Sequence, residues 1–260
     1  MAMFLKKTAA FEKQNTLSKL LLHCRQLKRF IFSVLTLLLL AACEPAHYVP
    51  DTPNVPLLSN EGEIQTSLST SHAGTQIKLA AAIDDHNAVM LNSNFATYMG
   101  YARQPHAFIE GAYGYYMPLS DIFRFETFGG LGYGMLDFYS FYEFESQYGG
   151  PYWDWRQTIQ QFRLFGQTAI GFTTRFIDMG LATRVSILNF YQPDLNIASV
   201  FVTPVLICRQ GYKWIKLSFE LGSSQQLNTI SGPRHIYDRS PAFSFGIYIN
   251  LNHIFHSNHL

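Results

Sequence analysis

Histidines and acidic residues in the irregular parts of the chain are the residues whose types suit catalysis. A histidine with a carboxylate beside it can act as a general base. The stretches without a regular period contain such residues at His72, Glu143, Glu145, Asp154, His235 and Asp238. Solvated loops carry the same residue types, and nothing in the spacing brings these residues together. We therefore expect no catalytic residues and no enzyme, and we keep a hydrolase that uses His235 with a loop carboxylate as an alternative.

Other residues with binding chemistry have simpler structural explanations. The run Gly129–Gly134 is rich in glycine like a phosphate-binding loop, but no Lys-Ser/Thr pair follows it and no helix is predicted behind it. Glycines that let barrel strands bend and pack explain the run better. His253, His256 and His259 have no Cys or carboxylate among them, and we expect Cys208, between Ile207 and Arg209 on a predicted strand, to act as a small apolar side chain. We therefore expect no metal and no cofactor.

The amino-terminal part of the chain is typical of a secretory signal peptide. Basic residues precede the apolar stretch Phe30–Leu40, which only Ser33 and Thr36 interrupt. This stretch is too short to span a bilayer, which takes about 20 helical residues. Small residues at Ala41 and Ala42 then indicate a cleavage site.

The sequence Leu40-Ala41-Ala42-Cys43 resembles the lipobox of bacterial lipoproteins. The resemblance implies that residues 1–42 are a signal peptide removed between Ala42 and Cys43, and that Cys43 then carries a diacylglycerol and an acyl chain such as palmitate. Glu44 in place of Asp implies sorting to the outer membrane of a Gram-negative bacterium. The alternative is an ordinary signal peptide with an incidental cysteine. Cleavage leaves 260 − 42 = 218 residues, enough for one β domain.

The composition argues against a nucleic-acid partner and against an ordinary soluble surface. The formal net charge is +1, and no dense group of Lys and Arg is present. Charged residues make up 14% of the chain, whereas soluble domains have about 25%. Aromatic residues are abundant, with 22 Phe and 15 Tyr.

The remaining chain divides into a tether, a β domain and a tail. Residues 43–61 contain several prolines and no period, so we expect a lipidated cysteine followed by an extended spacer. From Gly62 onward apolar residues recur at every second position, which predicts strands. A β-barrel domain is expected over 62–255 and a tail over 256–260. The predicted strands lie near 62–70, 75–83, 86–96, 106–117, 121–136, 157–174, 176–190, 199–209, 213–223 and 242–253.

Ten strands with alternating short and long connections predict an all-β, antiparallel, up-and-down barrel of the transmembrane, outer-membrane type. The last strand has Phe243, Phe245 and Ile247 on one face and small or polar residues on the other. Long loops are expected over 137–156 and 224–241. Both ends of the mature chain are then expected at the end of the barrel with the short turns.

The period of two does not say which face points inward. Lys or Arg on a lipid-facing strand costs about 2–4 kcal/mol, and the charged residues of these strands avoid the apolar faces. We therefore expect a plugged lumen with a charge network of Glu63, Lys78, Glu110, Arg124, Glu126, Arg163, Asp178, Arg184, Lys216 and Glu220. The alternative is a periplasmic, lipocalin-like carrier with its apolar faces around a lipid.

Two stretches carry a resemblance to known barrels. The strand Phe128–Met135 and the aromatic last strand resemble those of small outer-membrane β-barrel proteins, and Asn54–Glu63 with His86 and Met90 is similar to outer-membrane lipoproteins of Gram-negative bacteria. The resemblance implies a barrel that begins just after this motif. The chain departs from that class after Phe255, because such barrels often end on an aromatic residue.

An aromatic loop is the remaining candidate for binding. The aromatic residues concerned are Tyr142, Tyr148, Tyr152, Trp153 and Trp155. Aromatic side chains are favoured at recognition sites, and they also form girdles at membrane interfaces. The sequence therefore predicts a structural or binding protein whose partners are outer-membrane lipid and an extracellular ligand or protein that its long loops bind.

Overall fold

The computed structural model describes residues 51–71, 73–96, 105–141, 154–192, 195–212, 214–231 and 239–252. Ten strands form a closed barrel in which each strand pairs antiparallel with the next and β1 pairs with β10. The strands are β1 Ile64–Ser71, β2 Gly74–Ala82, β3 Asn87–Ala96, β4 His106–Pro118, β5 Phe123–Phe141, β6 Asp154–Thr173, β7 Ile177–Gln192, β8 Leu195–Tyr212, β9 Ile215–Ser231 and β10 Arg239–Asn250. Within the described ranges, no helix is long and apolar enough to cross a membrane. The predicted all-β, antiparallel barrel of ten strands is confirmed.

The barrel has its apolar faces outside and its polar faces inside. In β10, Phe243 is 42% exposed and Phe245 is 52% exposed, while Ser244 between them is buried. Large exposed apolar side chains come from every strand, for example Leu181 in β7. In a closed barrel the two faces of each strand are the outer surface and the lumen, so the period of two places polar residues in the lumen.

The glycine run of β5 makes room for aromatic rings inside the barrel. A Cβ on Gly132 would lie 2.5 Å from the Phe108 ring, and one on Gly134 would lie 2.4 Å from the same ring. A Cβ on Gly130 would lie 2.6 Å from Phe165. These glycines therefore serve close packing in the barrel wall, as the sequence predicts.

The two ends of the barrel differ in their connections. At the end that we call the turn end, the strands are joined by residues 83–86, 119–122, 174–176 and 213–214. At the other, the loop end, the connections are residues 72–73, 97–105, 142–153, 193–194 and 232–238. Strands β5 to β9 are longer than β1 to β3.

Hydrogen bonds from the backbone hold the β2–β3 turn together. The carboxylate of Asp84 accepts hydrogen bonds from the backbone N–H groups of His86 (2.8 Å) and Asn87 (2.7 Å). The hydrogen bond from His86, together with the contacts to Asn87, lowers the pKa of the Asp84 carboxyl. This local network explains why a short connection without glycine forms a stable turn here.

The long loops expected over 137–156 and 224–241 are shorter in the structure. Strand β5 continues to Phe141 and β6 begins at Asp154, and these two residues are paired. Strand β9 continues to Ser231, and β10 begins at Arg239. Cross-strand pairing extends the ladder through residues whose own pattern is too irregular to predict a strand.

Part of the expected tether lies inside the barrel. Residues 51–58 are all buried, and Val55 and Leu58 have no exposed surface. This segment, which we call the inner segment, is therefore not a solvated spacer. It runs from the loop end, at Asp51, to the turn end, at Leu58, where β1 begins and β10 ends. The part before β1 therefore reaches the loop end at Asp51, while Cys43, the expected first residue of the mature chain, lies outside the described residues.

Candidate functional site

The charged side chains of the lumen form a balanced set. Among the side chains that the structure describes, six basic ones are buried, namely Lys78, Arg124, Arg163, Arg184, Arg209 and Lys216. Six acidic ones are buried in the same part of the chain, namely Asp51, Glu63, Glu110, Glu126, Asp178 and Glu220. All ten residues of the network derived from the sequence are in this set, and Asp51 and Arg209 are the two that sequence reasoning missed. Opposite charges in equal number reduce the cost of burying each of them.

The largest cluster centres on Glu110 of β4. Its carboxylate lies 3.0 Å from Nη1 of Arg163 and 2.9 Å from Nη1 of Arg184, and it accepts a hydrogen bond of 2.9 Å from Asn92. Arg163 also pairs with Asp51 of the inner segment, at 2.7 Å. The cluster therefore joins strands β3, β4, β6 and β7 to the inner segment.

A second cluster lies on the opposite wall and contains Lys78 of β2 and Glu220 of β9. Their Nζ and Oε2 atoms are 2.5 Å apart. Lys78 also donates to the hydroxyl of Thr52 at 2.8 Å, and Thr52 donates to Gln76 at 2.9 Å. The hydroxyl of Ser244 donates to Glu220 at 2.8 Å. Thr52 is therefore hydrogen-bonded directly to Lys78 and, through the hydroxyl of Ser244, linked to Glu220.

Two further cations lie at the turn end. Lys216 pairs with Asp178 at 2.6 Å and donates to the carbonyl of Thr174 at 2.8 Å. Arg124 donates to backbone carbonyls of the β4–β5 turn and to the hydroxyl of Ser59 at 2.7 Å. These contacts close the polar interior at this end.

Side chains of the wall bind the backbone of the inner segment. Gln167 donates to the carbonyl of Asn54 at 2.6 Å, and Arg209 donates to the carbonyls of Val55 (2.5 Å) and Pro56 (3.3 Å). The N–H of Leu58 donates to Glu126 at 2.6 Å. A buried irregular segment must have its backbone groups satisfied in this way.

The prolines of the inner segment reduce the number of buried backbone groups that need a hydrogen-bond partner. Pro53 and Pro56 have no N–H group, so the barrel has fewer buried donors to satisfy. Proline also favours the extended backbone that a narrow lumen accepts. The same residues that predicted a solvated spacer are thus suited to a buried, extended path.

Leu57 is held in an unusual backbone conformation against two glycines. Its φ angle is 58°, in the left-handed region that side chains other than glycine rarely adopt. A Cβ on Gly171 would lie 2.9 Å from the Leu57 methyl groups, and one on Gly180 would lie 3.5 Å away. Leu57 and Val55 form an apolar cluster with wall residues such as Val205 and Ile207. The missing side chain at Gly171 therefore leaves space that Leu57 fills, while Gly180 is in ordinary contact with it.

Three arginines of the lumen also stack on aromatic rings. Arg163 lies 4.3 Å from the ring centroid of Phe108, Arg184 lies 4.2 Å from that of Phe165, and Arg209 lies 4.2 Å from that of Tyr248. Cation–π contacts of this kind fix the plane of a guanidinium group.

The interior does not match the lipocalin-like alternative. That alternative needs the apolar strand faces around a central ligand, but Leu217 is 56% exposed on the outside. Apolar side chains do lie inside, but two of their clusters pack around the inner segment, one at Leu58 and one at Val55 and Leu57. A third cluster, of Leu188, Phe190, Ile197 and Phe201, lies on β7 and β8 towards the loop end.

The outer surface has an aromatic group at the turn end. Phe123, Phe176, Tyr212 and Trp214 are exposed next to the turns. Arg175 lies 4.6 Å from the centroid of the Tyr212 ring and 5.6 Å from that of Phe176. Cys208 is a free thiol on the outer face of β8 and is half-buried.

Several residues singled out from the sequence lie outside the described residues. They include Ala42 and Cys43 at the expected cleavage site, the loop aromatics Tyr142, Tyr148, Tyr152 and Trp153, and the rim candidates His72, Glu143, Glu145, His235 and Asp238. Asp154 and Trp155 fall in β6, opposite Phe141 and Ser140. The predicted roles of all these residues stay predictions.

Comparison with known proteins adds no family to this description. No model of a known protein family matches the chain, and no curated protein matches it.

Proposed function

We propose that the protein is a lipid-anchored β-barrel of the Gram-negative outer membrane, with a closed lumen and a structural or binding role. The observation that carries the proposal is the polarity of the barrel. Apolar side chains face outward on all ten strands, while the buried charges face inward. A chain with this arrangement is suited to anchoring and to presenting its loops rather than to catalysis.

The composition of the outer face supports contact with hydrocarbon. Among the outward strand side chains that the structure describes, Asp137 near the loop end of β5 is the only charged one. A Lys or Arg near the bilayer midplane would cost about 2–4 kcal/mol, so a lipid-facing wall loses such residues. A wall facing water has no such cost and carries charges at an ordinary frequency.

The aromatic group at the turn end supports a membrane interface at that level. Tyr and Trp are amphipathic and are enriched where a barrel leaves the hydrocarbon. Tyr212 and Trp214 lie at the β8–β9 turn, and Phe176 lies at the β6–β7 turn. The short turns would then face the periplasm and the longer connections the exterior. For the binding role, our candidates are the aromatic residues Tyr142, Tyr148, Tyr152, Trp153 and Trp155.

The filled lumen supports a barrel that does not conduct. An eight-stranded barrel is just wide enough for side chains to fill, and ten strands leave little more space. In this chain the inner segment and the buried charged side chains of the wall occupy that space. We expect no steady ionic current from the intact protein in a planar bilayer, under conditions in which an open porin conducts. A stable, reproducible current would contradict the closed lumen.

Two measurements test the remaining parts separately. A folded outer-membrane barrel should migrate faster on a denaturing gel before boiling than after it, and metabolic labelling with a fatty acid should label the band. Replacing Cys43 by Ser should abolish the acyl label and leave the shift on boiling. A barrel that shows no shift argues against the membrane fold. An acyl label that persists in Cys43→Ser argues against the lipid site.

A further inference from the structure

We infer that the mature chain enters its own barrel from the loop end, so that the lipid on Cys43 lies on the same side of the membrane as the long loops. This inference rests on the proposed function, since it assumes a membrane-spanning barrel with a lipidated cysteine. It concerns the leaflet that holds the lipid, which the sequence leaves open.

The lower part of the inner segment fixes one end of its path. Leu58 packs with Ala82, Ala88 and Tyr116, which lie at the turn-end limits of β2, β3 and β4. Arg124 binds the hydroxyl of Ser59 and also donates to carbonyls of the β4–β5 turn, so Ser59 lies next to this turn. The segment therefore reaches the turn end by residues 58–59, just before β1 begins.

The upper part fixes the other end. Thr52 bonds to Gln76 and to Ser244, and Ser244 is paired with Ser71, the last residue of β1 at the loop end. Asp51 lines a cavity with Asn94 and His106, which lie next to the loop-end limits of β3 and β4. The chain that precedes Asp51 therefore starts from the loop end of the lumen.

A return path through the lumen is blocked. Residues 51–58 are all buried and already fill the lumen. The residues before Asp51 would have to run back through the same space to reach the turn end. Ion pairs cross the same space, from Lys78 on β2 to Glu220 on β9 and from Arg163 on β6 to Glu110 on β4. Two chains side by side would need this network to open.

A return path outside the wall is blocked as well. It would place backbone N–H and C=O groups in hydrocarbon without partners, which irregular lipid-facing segments do not do. Length alone does not decide the matter. Cys43 is 51 − 43 = 8 residues before Asp51, and that many extended residues span about 27 Å, close to the apolar height of a barrel, about 25 Å. The same length is ample for the cysteine to reach the bilayer surface on the loop side.

One consequence concerns assembly. A lipidated end cannot be drawn through a lumen that ion pairs fill, so the inner segment must be in place before the barrel closes. The β1–β10 seam is the shortest of the ladders and runs from Gln65–Asn250 to Ser71–Ser244. The barrel would then close around its own amino-terminal segment.

Thiol labelling in intact cells tests the inference. Three single-cysteine variants are made in a Cys208→Ser background: Ala46→Cys before the inner segment, Arg103→Cys between β3 and β4, and Asp85→Cys in the β2–β3 turn. A maleimide that cannot cross the outer membrane is added before and after permeabilisation. The parent Cys208→Ser should take no label, because the thiol of Cys43 carries the lipid.

The expected result is at least tenfold more label before permeabilisation on Ala46→Cys and Arg103→Cys than on Asp85→Cys. The inference would be overturned if Ala46→Cys were as protected as Asp85→Cys while Arg103→Cys was labelled. That result would still agree with the proposed membrane-spanning barrel. Equal labelling of all three would instead overturn the membrane-spanning barrel, and label on the parent would overturn the lipid site. The shift on boiling shows that each variant folds, and an epitope tag inserted between Pro45 and Ala46 gives a second readout on whole cells.

Discussion

Asp51 and Arg163 form a buried ion pair of 2.7 Å although 112 residues separate them in the chain. Asp51 is the first residue of the inner segment and Arg163 lies midway along β6. The pair joins the segment before the barrel to the barrel wall. It is the clearest single contact that makes these residues part of the fold rather than a spacer.

Replacing Arg163 by Met should destabilise the folded barrel strongly. The change leaves Asp51 without its partner and removes one of the two arginines on Glu110, and breaking a buried pair from one side costs about 3–5 kcal/mol. The loss of unfolding free energy is measured by urea unfolding of lipid-reconstituted protein, with the folded fraction read from its migration on a gel. Asp51→Asn should cost less, about 1–3 kcal/mol, because Arg163 keeps Glu110.

The matched control for this change is Arg175→Met. Arg175 lies on the outer surface beside Tyr212 and Phe176, so its loss should cost under about 1 kcal/mol. Equal effects of Arg163→Met and Arg175→Met would contradict a structural role for the lumen network.

Lys78 and Glu220 should behave as one unit. Each single change, Lys78→Met or Glu220→Gln, leaves a buried charge that has lost its partner at 2.5 Å. The double variant leaves neither charge, so it should be more stable than the sum of the single changes by about 1–3 kcal/mol. The four free energies of unfolding form a double-mutant cycle. Additive effects would show that the two side chains do not meet in the folded protein.

At position 57, a glycine variant should be more stable than an alanine variant, which is the reverse of the usual order of stability. Leu57→Ala removes the side chain that fills the space at Gly171, at a cost of about 2–5 kcal/mol, and keeps the left-handed backbone. Leu57→Gly removes the same contacts but adopts a φ of 58° without penalty, so it should be about 1 kcal/mol more stable than the alanine variant. Urea midpoints of the two variants decide this. An alanine variant that is the more stable of the two would mean that Leu57 does not have this conformation.

A charge on the middle of the outer wall should impair insertion. Leu181 is 55% exposed on β7, several residues from either end, and Leu181→Arg should cost about 2–4 kcal/mol in a bilayer. The same change at Leu119, in the β4–β5 turn, should cost about 0–1 kcal/mol. The folded fraction in liposomes, read from the shift on boiling, measures both. In a water-facing barrel the two substitutions would have equally small effects.

Much of the wall follows from the sequence, because each strand has one apolar and one polar face. The parity of β10 predicts that Phe243 and Phe245 share a face, and charge avoidance predicts which face points inward. The ten lumen charges could be named for the same reason. Strand ends were less predictable, since pairing with a neighbour extends β5 to Phe141 and β9 to Ser231.

The inner segment could not be predicted because it has no period. Its prolines and polar residues are equally typical of a solvated spacer, and only its contacts with the wall show that it is buried. Arg209 was missed for a related reason. Around it, β8 is apolar on both faces, with Ile207 inward and Leu206 outward, so alternation gives no signal. The inward apolar residues of β8 pack against Val55 and Leu57 of the inner segment. A solvated spacer would leave these β8 residues without an apolar partner in the lumen.

The most direct test of the central claim is the accessibility of nitroxide spin labels in liposomes. Labels on Leu181→Cys and Leu206→Cys, in a Cys208→Ser background, report on two outward residues that are paired across β7 and β8. A label on Asp85→Cys in the exposed β2–β3 turn is the water reference. A wall that faces lipid predicts high collision rates with oxygen and low rates with a water-soluble nickel chelate at both leucine positions, and the reverse at Asp85. Nickel accessibility at Leu181 and Leu206 equal to that at Asp85 would contradict the account.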